Sequence, residues 1–143
     1  MRIIAFKDNL YNTQDFMKKV ASQPFLEGIS FNVTTTKDGT IVIFSPISTK
    51  ESLLDNIQKV TFEEFKNRMF TTLEETLKIA TTYKGRILIN IMPLLTSEIT
   101  DDNIEYINKI TYQYVERIIE IINRYPNLNI YIASSSHRII YYL

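Results

Sequence analysis

The chain reads as an α/β protein of about five mostly parallel strands, and three observations lead there. Strand-like and helix-like segments alternate along its length. The stretch Glu27–Pro46, EGISFNVTTTKDGTIVIFSP, has the pattern strand, tight turn, strand. Later helices open on recognisable capping residues. Such alternation favours a parallel sheet covered by helices, because parallel neighbours need a crossover to join them.

In order along the chain, Arg2 to Phe6 is a short apolar strand and Asn9 to Asn12 a polar break. Asn12 or Thr13 can cap a helix in which Phe16, Met17 and Val20 share a face, ending before Pro24. Ile29, Phe31 and Val33 then alternate with Ser30 and Asn32, the period of a half-buried strand. Lys37-Asp38-Gly39 supplies a turn in which glycine is free to take a positive φ. Ile41 to Phe44 is a β-branched run that ends at Pro46, where a ladder N–H is missing. Ser52 to Ile57 is either one helical turn or a loop.

Thr61-Phe62-Glu63-Glu64 has the pattern of a capping box, with Phe65 on the face of Phe62. Thr71 or Thr72 opens a second capped helix, TLEETLKIATTY, with Leu73, Leu77 and Ala80 on one side and Gly85 as its stop. Arg86 to Met92 is a strand stopped by Pro93. Asp101 or Asp102 is expected to cap the longest helix, which runs to Arg124. Its apolar face includes Ile104, Ile107, Tyr114, Ile118, Ile121 and Ile122. Leu128 to Ala133 is a fifth strand, and Ser134 to Ser136 can cap a last helical turn, HRIIYYL. With no repeat, linker or low-complexity tract, residues 1–143 are expected to form one domain.

Composition narrows the function classes. An apolar share of 45% with 22% charged residues is that of an ordinary globular protein. Sixteen basic and sixteen acidic residues cancel, which leaves no global field to draw in nucleic acid, and there is no basic stripe. The absence of cysteine excludes disulfides and thiolate metal sites. The opening MRIIAFKDN has too short an apolar run for a secretory signal, and no segment approaches a membrane span. The expectation is a cytoplasmic domain.

The central stretch also resembles the glycerophosphodiester phosphodiesterase family. The shared features are a Gly-Ile-x-x-x-Val strand, a Thr-Lys-Asp-Gly turn and an apolar strand ending in x-x-Pro. NTQDFMKKV, TLEETLKIA, RILINIMP and IASSSHRIIYYL are similar to further segments of that family in the same order. The resemblance implies a partial (β/α) barrel of the TIM type and a setting in lipid metabolism. It also implies an activity: two histidines cleave a phosphodiester by acid/base chemistry, beside a Mg²⁺ or Ca²⁺ ion held by carboxylates at the strand ends.

The residues that would do this are replaced. The family's His-Arg-Gly after strand one reads Phe6-Lys7-Asp8, and Tyr11 stands where a glutamate is implied. The metal-binding glutamate and aspartate of strand two are Ser30 and Asn32. The second histidine and its neighbouring aspartate are Phe44 and Ser45, and the strand-four glutamate and lysine are Met92 and Leu94. An apolar ring cannot move a proton, and an amide or hydroxyl is a poor ligand for a hard cation. The expected function is therefore a catalytically inactive domain serving association or ligand binding, with no cofactor.

Its vestigial pocket comprises Phe6, Lys7, Tyr11, Ser30, Asn32, Phe44, Ser45 and Met92. It either takes a small ligand or is filled by its own side chains. The alternative is a residual hydrolase with a rearranged metal site drawn from Asp8, Glu27 or Asp38. His137 has no identifiable partner base and reads as a surface residue, Asp101-Asp102 as a cap, and Ser134-Ser135-Ser136 as a loop.

A complete eight-stranded barrel needs about 250 residues. A sheet of about five strands is incomplete without a second chain or further C-terminal units, since strands one and five are left as open edges. A homodimer is the expected partner arrangement.

Overall fold

The computed structural model describes residues 4–6, 18, 19, 22, 23, 27–44, 57–65 and 71–143, with residues 4–6, 44 and 65 described by backbone alone. The first expected helix falls outside this set, apart from Lys18 and Lys19, which are helical.

The alternating segments are extended and join in one sheet. Its strands are β1 (Ile4–Phe6), β2 (Gly28–Thr35), β3 (Ile41–Phe44), β4 (Arg86–Ile91) and β5 (Asn129–Ser134). Four run parallel in the order β1-β2-β4-β5, and β3 returns antiparallel on β2. β4 pairs with Gly28–Val33 along one side of β2. On the other side β1 takes Gly28–Ser30 and β3 takes Asn32–Thr35, so these two strands follow one another along a single edge. Gly39 makes the hairpin possible at φ 85°, a backbone conformation that costs glycine nothing.

Alternation sorts the strands into two faces. Ile29, Phe31 and Val33 align with Ile87, Ile89 and Ile91, and all six are buried on the outer face. The helices cover that face: α2 (Leu73–Ile79, continued by a 3₁₀ turn over Ala80–Thr82), α3 (Ile104–Asn123) and α4 (His137–Tyr141). Leu73, Leu77, Tyr114, Val115, Ile118 and Ile139 pack against the strand residues in one continuous core. None of the described helices is long and apolar enough to cross a membrane.

The inner face carries Ser30, Asn32 and Thr34 from β2, aligned with Leu88 and Asn90 from β4. Across its upper end lie a helical turn at residues 57–59 and α1 (Phe62–Phe65). Ile57, Val60 and Phe62 form a smaller apolar cluster there with Val42 and Met92.

Capping follows the sequence in three of four places. The Thr72 hydroxyl accepts from Glu75 N at 3.1 Å and the Glu75 carboxylate accepts from Thr72 N at 3.3 Å. Thr61 and Glu64 make the same reciprocal pair at α1, and the Ser136 hydroxyl accepts from Ile139 N at α4.

At α3 the expectation fails. Asn103, not Asp101 or Asp102, is the residue before the helix, and its amide accepts from Thr100 N and donates to Glu98 O. That closes a turn in which both aspartates stand exposed. Ile104, expected on the buried face, is also exposed, while Thr111 and Val115 are buried instead. The Thr111 hydroxyl donates back to Ile107 O, so it enters the core already satisfied.

Gly85 lies beyond the 3₁₀ turn and does more than end a helix. A Cβ there would come within 2.2 Å of the Tyr83 hydroxyl oxygen and 2.9 Å of Glu27 O, so a side chain at this position would displace the Tyr83 ring. Among the described residues the Tyr83 hydroxyl is buried without a hydrogen-bond partner, and burial raises its pKa. Tyr114 contrasts with it. Its buried hydroxyl donates to both Val33 O (3.2 Å) and Met92 O (3.1 Å), tying α3 to the ends of β2 and β4.

Removing the same oxygen from each is expected to have opposite results. Tyr114→Phe takes the donor from Met92 O, while Val33 O keeps Met92 N, and should cost about 1–2 kcal/mol. Tyr83→Phe removes an unsatisfied group and should leave stability unchanged or higher. Urea denaturation of the two variants beside the parent checks the contrast.

Candidate functional site at the strand tips

The inner face of β2 is the polar centre of the fold. Ser30, Asn32 and Thr34 are buried, and burying such groups is tolerable only when they are hydrogen-bonded. Parallel register places Asn90 of β4 beside Asn32, and Asn90 Nδ2 donates to Asn32 Oδ1 at 2.7 Å. The same nitrogen approaches Met92 Sδ at 3.9 Å.

One turn of chain seals the layer above. Gln58 Nε2 donates to Thr34 Oγ1 (3.0 Å) and to Pro93 O (3.1 Å), while Gln58 Oε1 accepts from Leu95 N (2.8 Å). A single side chain thus clamps residues 57–59 to the end of β2 and to the segment leaving β4.

Of the residues expected in the vestigial pocket, the structure brings together Ser30, Asn32 and Met92. Phe6 pairs with Ser30 and Phe44 stands opposite Asn32 in the strand registers, which locates both backbones at this end of the sheet. Lys7, Tyr11 and Ser45 lie outside the described residues, as does Asp8. Met92 is half-buried against Val42 and Ile57, within the plug. Leu94 points away from the layer and packs against the main core on the outer side.

Sequence reasoning missed Asn90, Thr34 and Gln58. Asn90 has a local signal, a polar residue sharing a strand face with Leu88 and Met92. Gln58 has none, because its partners lie 24 and 35 residues away.

Asp38 and Glu27, considered for a rearranged metal site, do not share one. Glu27 precedes β2 and Asp38 follows it, leaving roughly 25 Å of strand between them. Asp38 has structural work instead. Its carboxylate accepts from the Thr36 hydroxyl and from Phe62 N (3.0 Å), fastening the hairpin turn to the start of α1. Those bonds, the Thr36 hydroxyl first, hold its carboxyl below the ordinary value.

His137 is exposed at the start of α4. Among the described residues no three histidine, aspartate or glutamate side chains converge to hold a metal.

No family model matches the sequence, and no curated protein matches it. Solved structures do. A glycerophosphodiester phosphodiesterase from Parabacteroides distasonis superposes with a TM-score of 0.70 at 16% identity, covering 99% of this chain and 59% of that one. An Oleispira antarctica phosphodiesterase, solved in complex with the product sn-glycerol-3-phosphate, gives 0.61 at 12% identity over 99% of this chain and 60% of its own. A glycerophosphodiester phosphodiesterase from Thermotoga maritima gives 0.59 at 19% identity, over 98% and 57%.

The fold is that of a partial phosphodiesterase barrel. The chain spans about three fifths of the length of these structures. In this fold β1, β2, β4 and β5 are consecutive parallel barrel staves, and β3 is the return of a hairpin.

Among the described residues, the donor set at the strand tips does not fit a hard divalent cation, which prefers several anionic oxygens. Ser30 and Asn32 are neutral, the Asn32 oxygen is taken by Asn90, and Met92 offers a thioether.

Acid should expose the role of Asp38. With its folded pKa depressed, its contribution is full above the unfolded value of 3.8 and is lost as pH falls through the folded pKa. Asp38→Asn is expected to flatten the stability profile below about pH 4 while lowering stability at neutral pH, as read by thermal melts across that range.

Proposed function

We propose that this chain is a catalytically silent phosphodiesterase-fold domain used for association, its strand-tip site closed by its own side chains. The observation that carries this reading is the Asn32–Asn90 bond at the centre of the layer. Two neutral amides satisfy one another where the family resemblance implies a metal-binding carboxylate. Above them, the plug of Ile57, Val60 and Phe62 and the Gln58 clamp add closure.

Neither a proton-transfer group nor an anionic ligand set stands among Ser30, Asn32, Asn90 and Met92. With bis-p-nitrophenyl phosphate or glycerophosphocholine and added Mg²⁺ or Ca²⁺, no rate above buffer is expected. Metal-dependent turnover that disappears in Asp8→Ala would overturn the reading in favour of a residual hydrolase.

Association is supported by the exposure of the inner face, which rises from β2 towards β5. Ser30 and Asn32 are buried, Leu88 and Asn90 half-buried, and Tyr131 is 48% exposed beneath the Arg86 guanidinium, 5.9 Å from its ring centre. Among the described residues β5 pairs only with β4. An open edge of this kind is a template for another strand. A second copy of the chain, meeting the first through β5 and Tyr131, covers the open β5 edge of each. Light scattering at micromolar concentration should give twice the 16.8 kDa chain mass, falling to one chain in Tyr131→Asp. A single-chain mass for the parent would defeat the dimer.

A further inference from the structure

A second concavity lies on the helix side of the sheet, beside the turn of residues 57–59 that closes the strand-tip layer. A cleft of about 360 Å³ opens between the β2–β3 turn, the segment following β4 and the exposed flank of α3. Its floor is Tyr114, whose hydroxyl is already committed to the Val33 and Met92 carbonyls. Leu94 and Ile110 make an apolar wall.

Among the described residues the charged groups lining it are all cationic, Lys37, Lys59 and Arg117. That local excess stands out in a chain whose charges balance to zero.

Arg117 is held as a recognition group would be. Its guanidinium lies on Gly39, where a Cβ would come within 2.1 Å of Nη1, so the glycine that turns the hairpin also seats the arginine. Arg124 of the same helix end is paired with Glu74 at 2.7 Å, and Arg138 bonds to Asn108. Arg117 has no side-chain or backbone hydrogen-bond partner among the described residues. Of the nearby acids, Asp38 is bonded to Thr36 and Phe62, Glu64 to Thr61 and Glu74 to Arg124, while Glu120 lines the adjoining concavity with Arg117 and Gly39. Lys37 is positioned through its own peptide, which donates to Val60 O at 2.8 Å.

We propose that this cleft binds a small organic anion, its carboxylate or phosphate head between Arg117 and Lys37 and a short hydrocarbon part along Leu94 and Ile110. A planar guanidinium and an ammonium supply complementary donors for such a head, and the apolar wall makes a tail favourable. The cleft shares Gln58 and Lys59 with the turn that closes the strand tips, but the side chains of Arg117 and Lys37 take no part in that closure, so the proposal does not rest on the silent-domain reading.

Amide-resolved NMR titration of the full chain tests it with hexyl phosphate, hexanoate and neutral hexanol. Both anions are expected to shift the amides of Lys37, Leu95, Ile110 and Gln113 saturably, with hexanol weaker by about tenfold or more. The stronger of the two anions identifies the head group. Arg117→Gln and Lys37→Gln, both changes at exposed side chains, should each weaken anion binding about fivefold or more, with the rest of the spectrum retained. Shifts equal for hexanol and the anions, shifts unaffected in both variants, or none up to about 10 mM ligand would each overturn the proposal.

Discussion

β2 is buried on both faces, and the two faces obey different rules. Outward, Ile29, Phe31 and Val33 need only be covered, and the helices cover them. Inward, Ser30, Asn32 and Thr34 are also removed from water, and buried polar atoms must find partners inside the protein. Asn90 satisfies Asn32 and Gln58 satisfies Thr34. The registers of β2 with β4 and the docking of residues 57–59 therefore have little freedom, because a slip by one residue would turn the polar stripe into the apolar core.

The hairpin and the plug follow from this constraint. β3 occupies the part of the β2 edge that β1 leaves open, and its Val42 meets Ile57 over the inner face. Asp38 then ties the hairpin turn to α1, so the turn and the plug are held as one piece. The neutral side chains of Ser30 and Asn32 make this closure possible. A pair of carboxylates at Ser30 and Asn32 would repel and demand solvent or metal, whereas hydroxyl and amide can be sealed beneath Met92 and the apolar cluster.

Both concave regions use the hairpin. On its inner side it closes the strand-tip layer, and on its outer side Gly39 seats Arg117 at the edge of the cationic cleft. The inner layer is most completely buried at β2 and most open at β5, which is the direction from which a partner would complete the sheet.

Much of the fold was legible in the chain because its signals are local. Period-2 alternation marked β2 and β4, a glycine after Lys37-Asp38 marked the hairpin, and Thr61, Thr72 and Ser136 announced three helix starts through contacts three residues long. That neutral side chains stand at Ser30, Asn32 and Met92 was likewise written in residue identity. Local reading failed at α3, where Asn103 turned back to Glu98 and Thr100 instead of leaving Asp101 or Asp102 to cap, and where the helix buried Thr111 rather than Ile104. Tertiary structure alone decided that Asn32 meets Asn90 across 58 residues, that Gln58 clamps two strand ends, and that Arg117 rests on Gly39. Those pairings depend on sheet register and helix rotation, which are set by packing over the whole molecule and leave no mark within a few residues of the groups they join.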